Sequence, residues 1–173
     1  MARMFGTDGI RGVANITPVS PPTFLTFGQV VARLVGAPKG EKKAVFVVGR
    51  DTRLSSPMLE AALTAGLCSA GVNVLNTGIM PTPAIAYLTR YVGAAGGLVI
   101  SASHNPYMDN GIKLFSNTGM KPSEDLEELI ESHLDHTTDA APLTGGALGQ
   151  PLPYNEGGQH YISFLKQAYR YAN

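Results

Sequence analysis

"AVFVVGRDTRLSSPMLEAALTAGLCSAGVNVL", residues Ala44 to Leu75, sets two short β-branched runs, "AVFVV" and "VNVL", on either side of a helical pattern. Apolar runs without alternation belong to strands buried on both faces of a parallel sheet. Between them Ser56-Pro57 signals a helix start, because proline in the first helical turn gives up an N–H that has no partner there. Gly71 marks the end of that helix. Strand, helix and strand over so short a span read as a crossover unit, which places the chain in the α/β class.

The same grammar continues on both sides. Downstream, Thr82-Pro83 starts a helix that ends near Gly93 and leads into "LVI", Leu98 to Ile100. Upstream, Ser20-Pro21 starts one whose stripe is Phe24, Phe27, Val31, Leu34 and Val35. "IKLF", Ile112 to Phe115, follows "LVI" too closely for a crossover helix, so it is expected to be antiparallel. A further helix is expected from Ser123, with Glu124 and Asp125 on the positive end of its dipole and Leu126, Leu129, Ile130 and Leu134 on its apolar face. The expected architecture is a three-layer α/β/α domain over residues 1–140, with a mixed, mostly parallel sheet. "TTDAAPLTGGALGQPLPYNEGGQ", Thr137 to Gln159, is loop-forming and reads as the domain's edge, and "HYISFLKQAYRY" has helical spacing. Residues 141–173 are therefore expected to be a linker and a helix leading toward a second domain that the chain lacks.

Composition removes several classes of function. Of 173 residues 44% are hydrophobic and only 15% charged, which suits a packed core and not a disordered chain. Thirteen basic and thirteen acidic side chains cancel, so no overall field draws the chain to nucleic acid or an anionic membrane. Any affinity for anions must be local. No apolar run reaches membrane-spanning length and no export signal is visible, so a cytoplasmic location is expected. Cys68 falls among small residues in a helical pattern and reads as packing.

Three segments carry polar chemistry where an open α/β sheet binds ligands, at strand carboxyl ends and glycine turns. "GRDTR", Gly49 to Arg53, follows the first run, and "SASHNP", Ser101 to Pro106, follows "LVI". "FGTDGIRG", Phe5 to Gly12, brackets Asp8 and Arg11 with glycines, which let N–H groups and a guanidinium approach an anion. Taken singly, each has an ordinary structural reading: a tight turn with a solvated arginine, an Asp51–arginine ion pair joining strand to helix, or a solvated serine. Ser103 beside His104 is not a hydrolase pair, since neighbouring side chains diverge and no Gly-x-Ser-x-Gly elbow is present. A phosphoryl acceptor needs less: an exposed hydroxyl, nearby positive charge and a metal on the transferred oxygens. Arg11, His104 and Lys113 are the candidates for that charge.

Together with "MPTPA", Met80 to Ala84, and "ISASHNPYMDNGIKLF", Ile100 to Phe115, these segments resemble the amino-terminal domain of the α-D-phosphohexomutase superfamily, most closely its bacterial phosphoglucosamine mutases. The resemblance covers roughly residues 3 to 134. It implies that Ser103 is carried as a phosphoserine that gives its phosphoryl group to a hexosamine monophosphate, interconverting glucosamine 6-phosphate and glucosamine 1-phosphate through a bisphosphate. It further implies that His104 bonds near the phosphoserine, that Lys113 offsets charge or relays a proton, and that Arg11 holds phosphate oxygens. Asp51 and Arg53 are expected to support the loop, and Asn105 and Asn110 to shape its turn. His133, His136 and His160 are expected to be solvated.

The resemblance implies Mg2+ with phospho-Ser103 as one oxygen ligand, a sugar bisphosphate as activator, and a phosphohexosamine as substrate. No Asp-x-Asp pair occurs among the thirteen acidic residues, so the remaining metal ligands and sugar contacts are expected from other domains. On this reading the chain alone folds but does not catalyse, and an uncovered terminal helix could pair it into a dimer. Two rival readings stay open: a phosphomannomutase or phosphoglucomutase domain, and a phosphate-binding module without catalysis.

Overall fold

The computed structural model describes residues 4–6, 9–36, 42–134 and 141–172. Asp8, His136 and the segment 137–140 lie outside the described residues. Among the described residues six strands form one sheet: β1 (Ile10–Val13), β2 (Val45–Arg50), β3 (Asn73–Ile79), β4 (Gly96–Ile100), β5 (Asp109–Ser116) and β6 (Pro151–Pro153), in the order β1-β5-β4-β2-β3-β6. The strands β4, β2, β3 and β6 run parallel, while β5 is antiparallel to both of its neighbours, as the short link after "LVI" requires.

Helices cover both faces. α1 (Pro21–Val35), α2 (Ser56–Ser69) and α4 (Glu124–Leu134) share the larger core, in which Phe24, Phe27, Leu59, Leu63, Leu67 and Ile130 meet Phe46, Val48, Val74, Leu98, Ile100 and Ile112. α3 (Thr82–Tyr91) covers the other face, setting Ile85 and Leu88 against Val47 and Val99. Each of these fully buried side chains stabilises by about 1.5–3 kcal/mol relative to exposure. α1 and α2 approach through glycines: a Cβ added at Gly66 would stand 2.1 Å from the Leu25 carbonyl oxygen, and one at Gly28 2.6 Å from that of Leu63.

The start signals landed within a residue or so of the observed helices, although the serines do not all act as caps. Ser20 is an extended N-cap without a side-chain cap bond, and Ser56 is already helical and spends its hydroxyl elsewhere. Ser123 does cap α4, accepting the Leu126 N–H at 3.3 Å.

Two segments differ from expectation. "FGTDGIRG" is more than a turn, because Ile10–Val13 form an edge strand on β5; four residues carrying one buried isoleucine give too little pattern to announce a strand. The sheet also does not end before residue 140, since Pro151–Pro153 add β6 to β3, tied by the Val74 N–H to Gln150 O (2.9 Å) and the Tyr154 N–H to Asn76 O (2.8 Å). At an edge a proline lacks only an N–H that would point to solvent, so a loop-like composition can still be the outermost strand.

The last helix, α5 (Gly157–Ala172), packs on α3 by aromatic contacts: Phe164 stacks on Tyr87 at 4.2 Å and His160 lies 4.8 Å from Tyr91. His160 is thus not simply solvated, and its Nδ1 is hydrogen-bonded to the Tyr154 hydroxyl at 2.7 Å. His133 is half-buried and likewise not simply solvated, its Nδ1 returning to its own helix at Leu129 O (2.8 Å). Part of the apolar face expected to be uncovered is therefore occupied within the chain, although Ile162, Leu165 and Tyr169 stay exposed. No helix among the described residues is long and apolar enough to cross a membrane.

Candidate active site

The chain leaves β2 for β3 on one side and returns through α3 to β4 on the other side of β2. β2 and β4 are therefore parallel neighbours whose following loops emerge side by side, the arrangement in which open α/β sheets bind ligands. Here "GRDTR" meets "SASHNP". The Asp51 N–H continues the ladder to Ile100 O at 2.9 Å, and beyond it Arg53 joins the two loops.

Ser103 lies at the tip of the second loop, exposed, with φ at +57°. That left-handed conformation costs an L-residue about 1–2 kcal/mol and persists only where the surroundings impose it. The surroundings here are dominated by Arg53. Its Nη2 donates to Ser103 O (3.0 Å) and Asn105 O (2.9 Å), and its Nη1 to Pro106 O (2.5 Å) and Asp109 O (3.0 Å). Its Nε donates to Asp51 Oδ2 at 3.0 Å. All five N–H groups of the guanidinium are thereby engaged.

Asp51 anchors that fork. Its Oδ1 accepts the Ser56 hydroxyl (2.7 Å) and the Arg53 N–H (3.0 Å). Burial alone would raise its pKa, but hydrogen bonds from Ser56, the Arg53 N–H, Ser101 and the Arg53 guanidinium hold the carboxyl below the usual range. Ser101 lies between the anchor and the nucleophile candidate: its Oγ accepts the Ser103 N–H at 3.0 Å, and its hydroxyl helps to lower the Asp51 pKa. Fully buried Asn110 joins the start of β5 to the start of α2 by donating to Ser55 Oγ (2.8 Å) and Ser56 Oγ (3.0 Å). Asn105 braces the turn through Asp109 Oδ2 at 2.9 Å.

The cationic candidates come from the antiparallel edge. Arg11 pairs with Gly111 and Lys113 with Val99, so alternation puts both side chains on the α3 face. A side chain at Gly111 would stand 3.0 Å from Arg11 Cγ and 2.4 Å from Ile10 O, so glycine there lets the arginine stem cross β5 toward the loop. Arg11 Nη1 reaches Asn105 Oδ1 at 3.3 Å. His104 is exposed on the tip beside Ser103. Lys113 is set further back, opposite a residue four positions before Ser103, and lines a cavity of about 150 Å3 with Thr82 and Lys121. The structure thus gathers Ser103, His104 and Arg11 at the loop and leaves Lys113 recessed on the same face. A larger cavity, about 520 Å3, opens by Lys43, Ala95 and Ser116 at the opposite ends of the strands.

The nearby carboxylates are already committed, Asp51 to Arg53 and Ser56 and Asp109 to Asn105. Among the described residues no three or more His, Cys, Asp or Glu side chains group as a metal site. They do not by themselves form the shell of an ion such as Mg2+, which takes several oxygen ligands.

The family described as phosphoglucomutase/phosphomannomutase, alpha/beta/alpha domain I, matches residues 2–141. The chain is similar to the phosphoglucosamine mutase of Brevibacillus brevis, with 48% identity over 167 residues that cover 96% of this chain and 37% of that protein. It is similar also to the phosphoglucosamine mutase of Deinococcus radiodurans, with 47% identity over 163 residues covering 94% and 36%. The chain thus spans little more than a third of the length of these curated relatives. Among solved structures, a putative phosphomannomutase from Thermus thermophilus superposes with a TM-score of 0.77 at 27% identity, covering 96% of this chain and 36% of that one.

Proposed function

Because the chain belongs to the phosphoglucomutase/phosphomannomutase family through its α/β/α domain I, we propose that it is the phosphoserine-carrying part of a phosphoglucosamine mutase. The observation that carries the reading is Ser103: an exposed hydroxyl, held at positive φ by loops meeting at the carboxyl ends of β2 and β4. The substrate assignment follows the two curated relatives at 47–48% identity.

In the reaction the bond between phosphorus and Ser103 Oγ breaks as one forms to the free hydroxyl oxygen of a hexosamine monophosphate. The hydroxyl proton leaves to a base, and the product is a sugar bisphosphate. The bisphosphate turns over and returns its other phosphoryl group to Ser103, so the net change is isomerisation between the 6- and 1-phosphates. A sugar bisphosphate added from outside reloads an empty serine. Catalysis of this kind is positioning and charge stabilisation. Arg11, reaching the loop through Asn105, holds phosphate oxygens; His104 bonds at the phosphoserine; Lys113 offsets charge or relays the hydroxyl proton. Mg2+ neutralises charge on the transferred oxygens when bound. Among the described residues phospho-Ser103 would be its one ligand, and the remaining ligands and the sugar contacts would come from further domains of a longer enzyme, beyond a sheet that here extends to Pro153. Residues 141–173 lead toward them, and the chain alone is inactive. The enzyme acts in the cytoplasm, and the exposed part of α5 can pair two copies of the chain.

The test is phosphopeptide mass analysis and turnover of the complete enzyme with glucosamine 6-phosphate or mannose 6-phosphate, each with Mg2+ and a sugar bisphosphate. Phosphate confined to Ser103 and turnover of the amino sugar are expected, both lost in Ser103→Ala. A preference for mannose 6-phosphate would favour the second reading, a phosphomannomutase, which the Thermus thermophilus likeness supports. Unchanged phosphate in Ser103→Ala would refute both.

A further inference from the structure

We propose that Arg53 is a positioning residue for Ser103, its guanidinium fork seated on Asp51 and closed over four carbonyls of the serine loop. The inference rests on the reading of Ser103 as the phosphoryl carrier. An arginine beside a phosphoserine would ordinarily be assigned to phosphate, but the geometry points elsewhere. Arg53 is 12% exposed in its side chain, and its five donors are taken by Asp51 Oδ2 and by the carbonyls of Ser103, Asn105, Pro106 and Asp109. No donor remains for a substrate oxygen.

The four carbonyls fix the loop from its tip at Ser103 to the start of β5 at Asp109. Carbonyls that converge on one point repel each other unless a cation lies between them, so a loop with all four turned inward needs a planar, multi-donor cation. With Ser103 O held by Arg53 Nη2 and Ser103 N–H held by Ser101 Oγ, both backbone groups of that residue are tethered. Left-handed φ is then imposed from outside the residue, and the Cβ–Oγ bond is aimed accordingly. Lysine has the same charge but its donors diverge from a single nitrogen, so it cannot both sit on Asp51 and span four carbonyls.

The test uses Arg53→Lys and Arg53→Met, with activity measured in the complete enzyme and exchange in the same protein. Arg53→Lys should lower kcat by about 10- to 100-fold, as for a reacting group displaced by around an ångström, with KM within about twofold. Hydrogen-exchange mass spectrometry on unphosphorylated protein should show at least about tenfold faster exchange in the 101–109 peptide and none elsewhere in the sheet. Rescue of kcat by Arg53→Lys would mean that charge and not the fork matters, and would overturn the inference. So would a raised KM at normal kcat, which would make Arg53 a substrate ligand, or a general loss of protection, which would make it a support of the whole fold. The exchange measurement does not depend on turnover. Turnover retained in Ser103→Ala would therefore remove the proposed function while leaving the positioning of the loop to be decided by exchange alone.

Discussion

Replacing Ser103 with glycine should make the protein more stable than replacing it with alanine, although both remove the hydroxyl. At φ +57° a side chain with a Cβ costs about 1–2 kcal/mol that glycine does not incur. Glycine loses more backbone freedom on folding, about 0.5–1 kcal/mol. The difference leaves Ser103→Gly ahead of Ser103→Ala by roughly 0.5–1 kcal/mol, or about 1–4 °C in melting temperature for a chain of this size. Nothing else separates the two. The side chain is exposed, so neither change empties a packed space, and the bonds to Ser101 Oγ and from Arg53 Nη2 are made by the backbone and survive in both. Thermal and urea unfolding followed by circular dichroism, with equal m-values, measures the difference. Asn15, at φ +68°, provides a control: asparagine tolerates this conformation better, so Asn15→Gly should gain less over Asn15→Ala. If Ser103→Gly proves no more stable than Ser103→Ala, the serine is not held in a strained turn and the argument from its conformation fails.

Three further outcomes follow from the geometry. In the complete enzyme Lys113→Met should lower turnover by about 10²-fold or more with the fold intact; a near-normal rate would confine Lys113 to its place on the strand. Gly66→Ala should destabilise by about 1–3 kcal/mol despite alanine's better helix propensity, because its Cβ would meet Leu25 O at 2.1 Å, whereas Gly158→Ala, whose nearest neighbour is Met80 Cε at 3.9 Å, should be neutral or stabilising. Since the folded state lowers the Asp51 pKa, its contribution is complete above the ordinary carboxyl value of 3.8 and is lost as pH falls through the lower folded value. Urea midpoints should therefore separate the parent from Asp51→Asn most well above pH 3.8 and converge as the pH falls below it.

The sequence by itself determined the class of the fold and which polar segments follow the strand carboxyl ends. Uninterrupted β-branched runs alternating with proline-started helices have few packings other than a parallel sheet between helices, because each run needs two covered faces and each helix one. The serine loop and "GRDTR" were legible for the same reason, as polar segments placed at strand carboxyl ends. Tertiary structure alone decided what depends on partners remote in the chain. Ile10–Val13 and Pro151–Pro153 are strands only because β5 and β3 offer them edges, and nothing within three or four residues encodes an edge. The conformation of Ser103 is likewise not written beside it. It follows from an arginine 50 residues earlier, brought alongside because β4 returns to the opposite flank of β2 and the two loops leave the sheet together. A guanidinium has no sequence signature that distinguishes binding a ligand's phosphate from binding its own backbone. That distinction lies in which oxygens the fold carries to its five N–H groups.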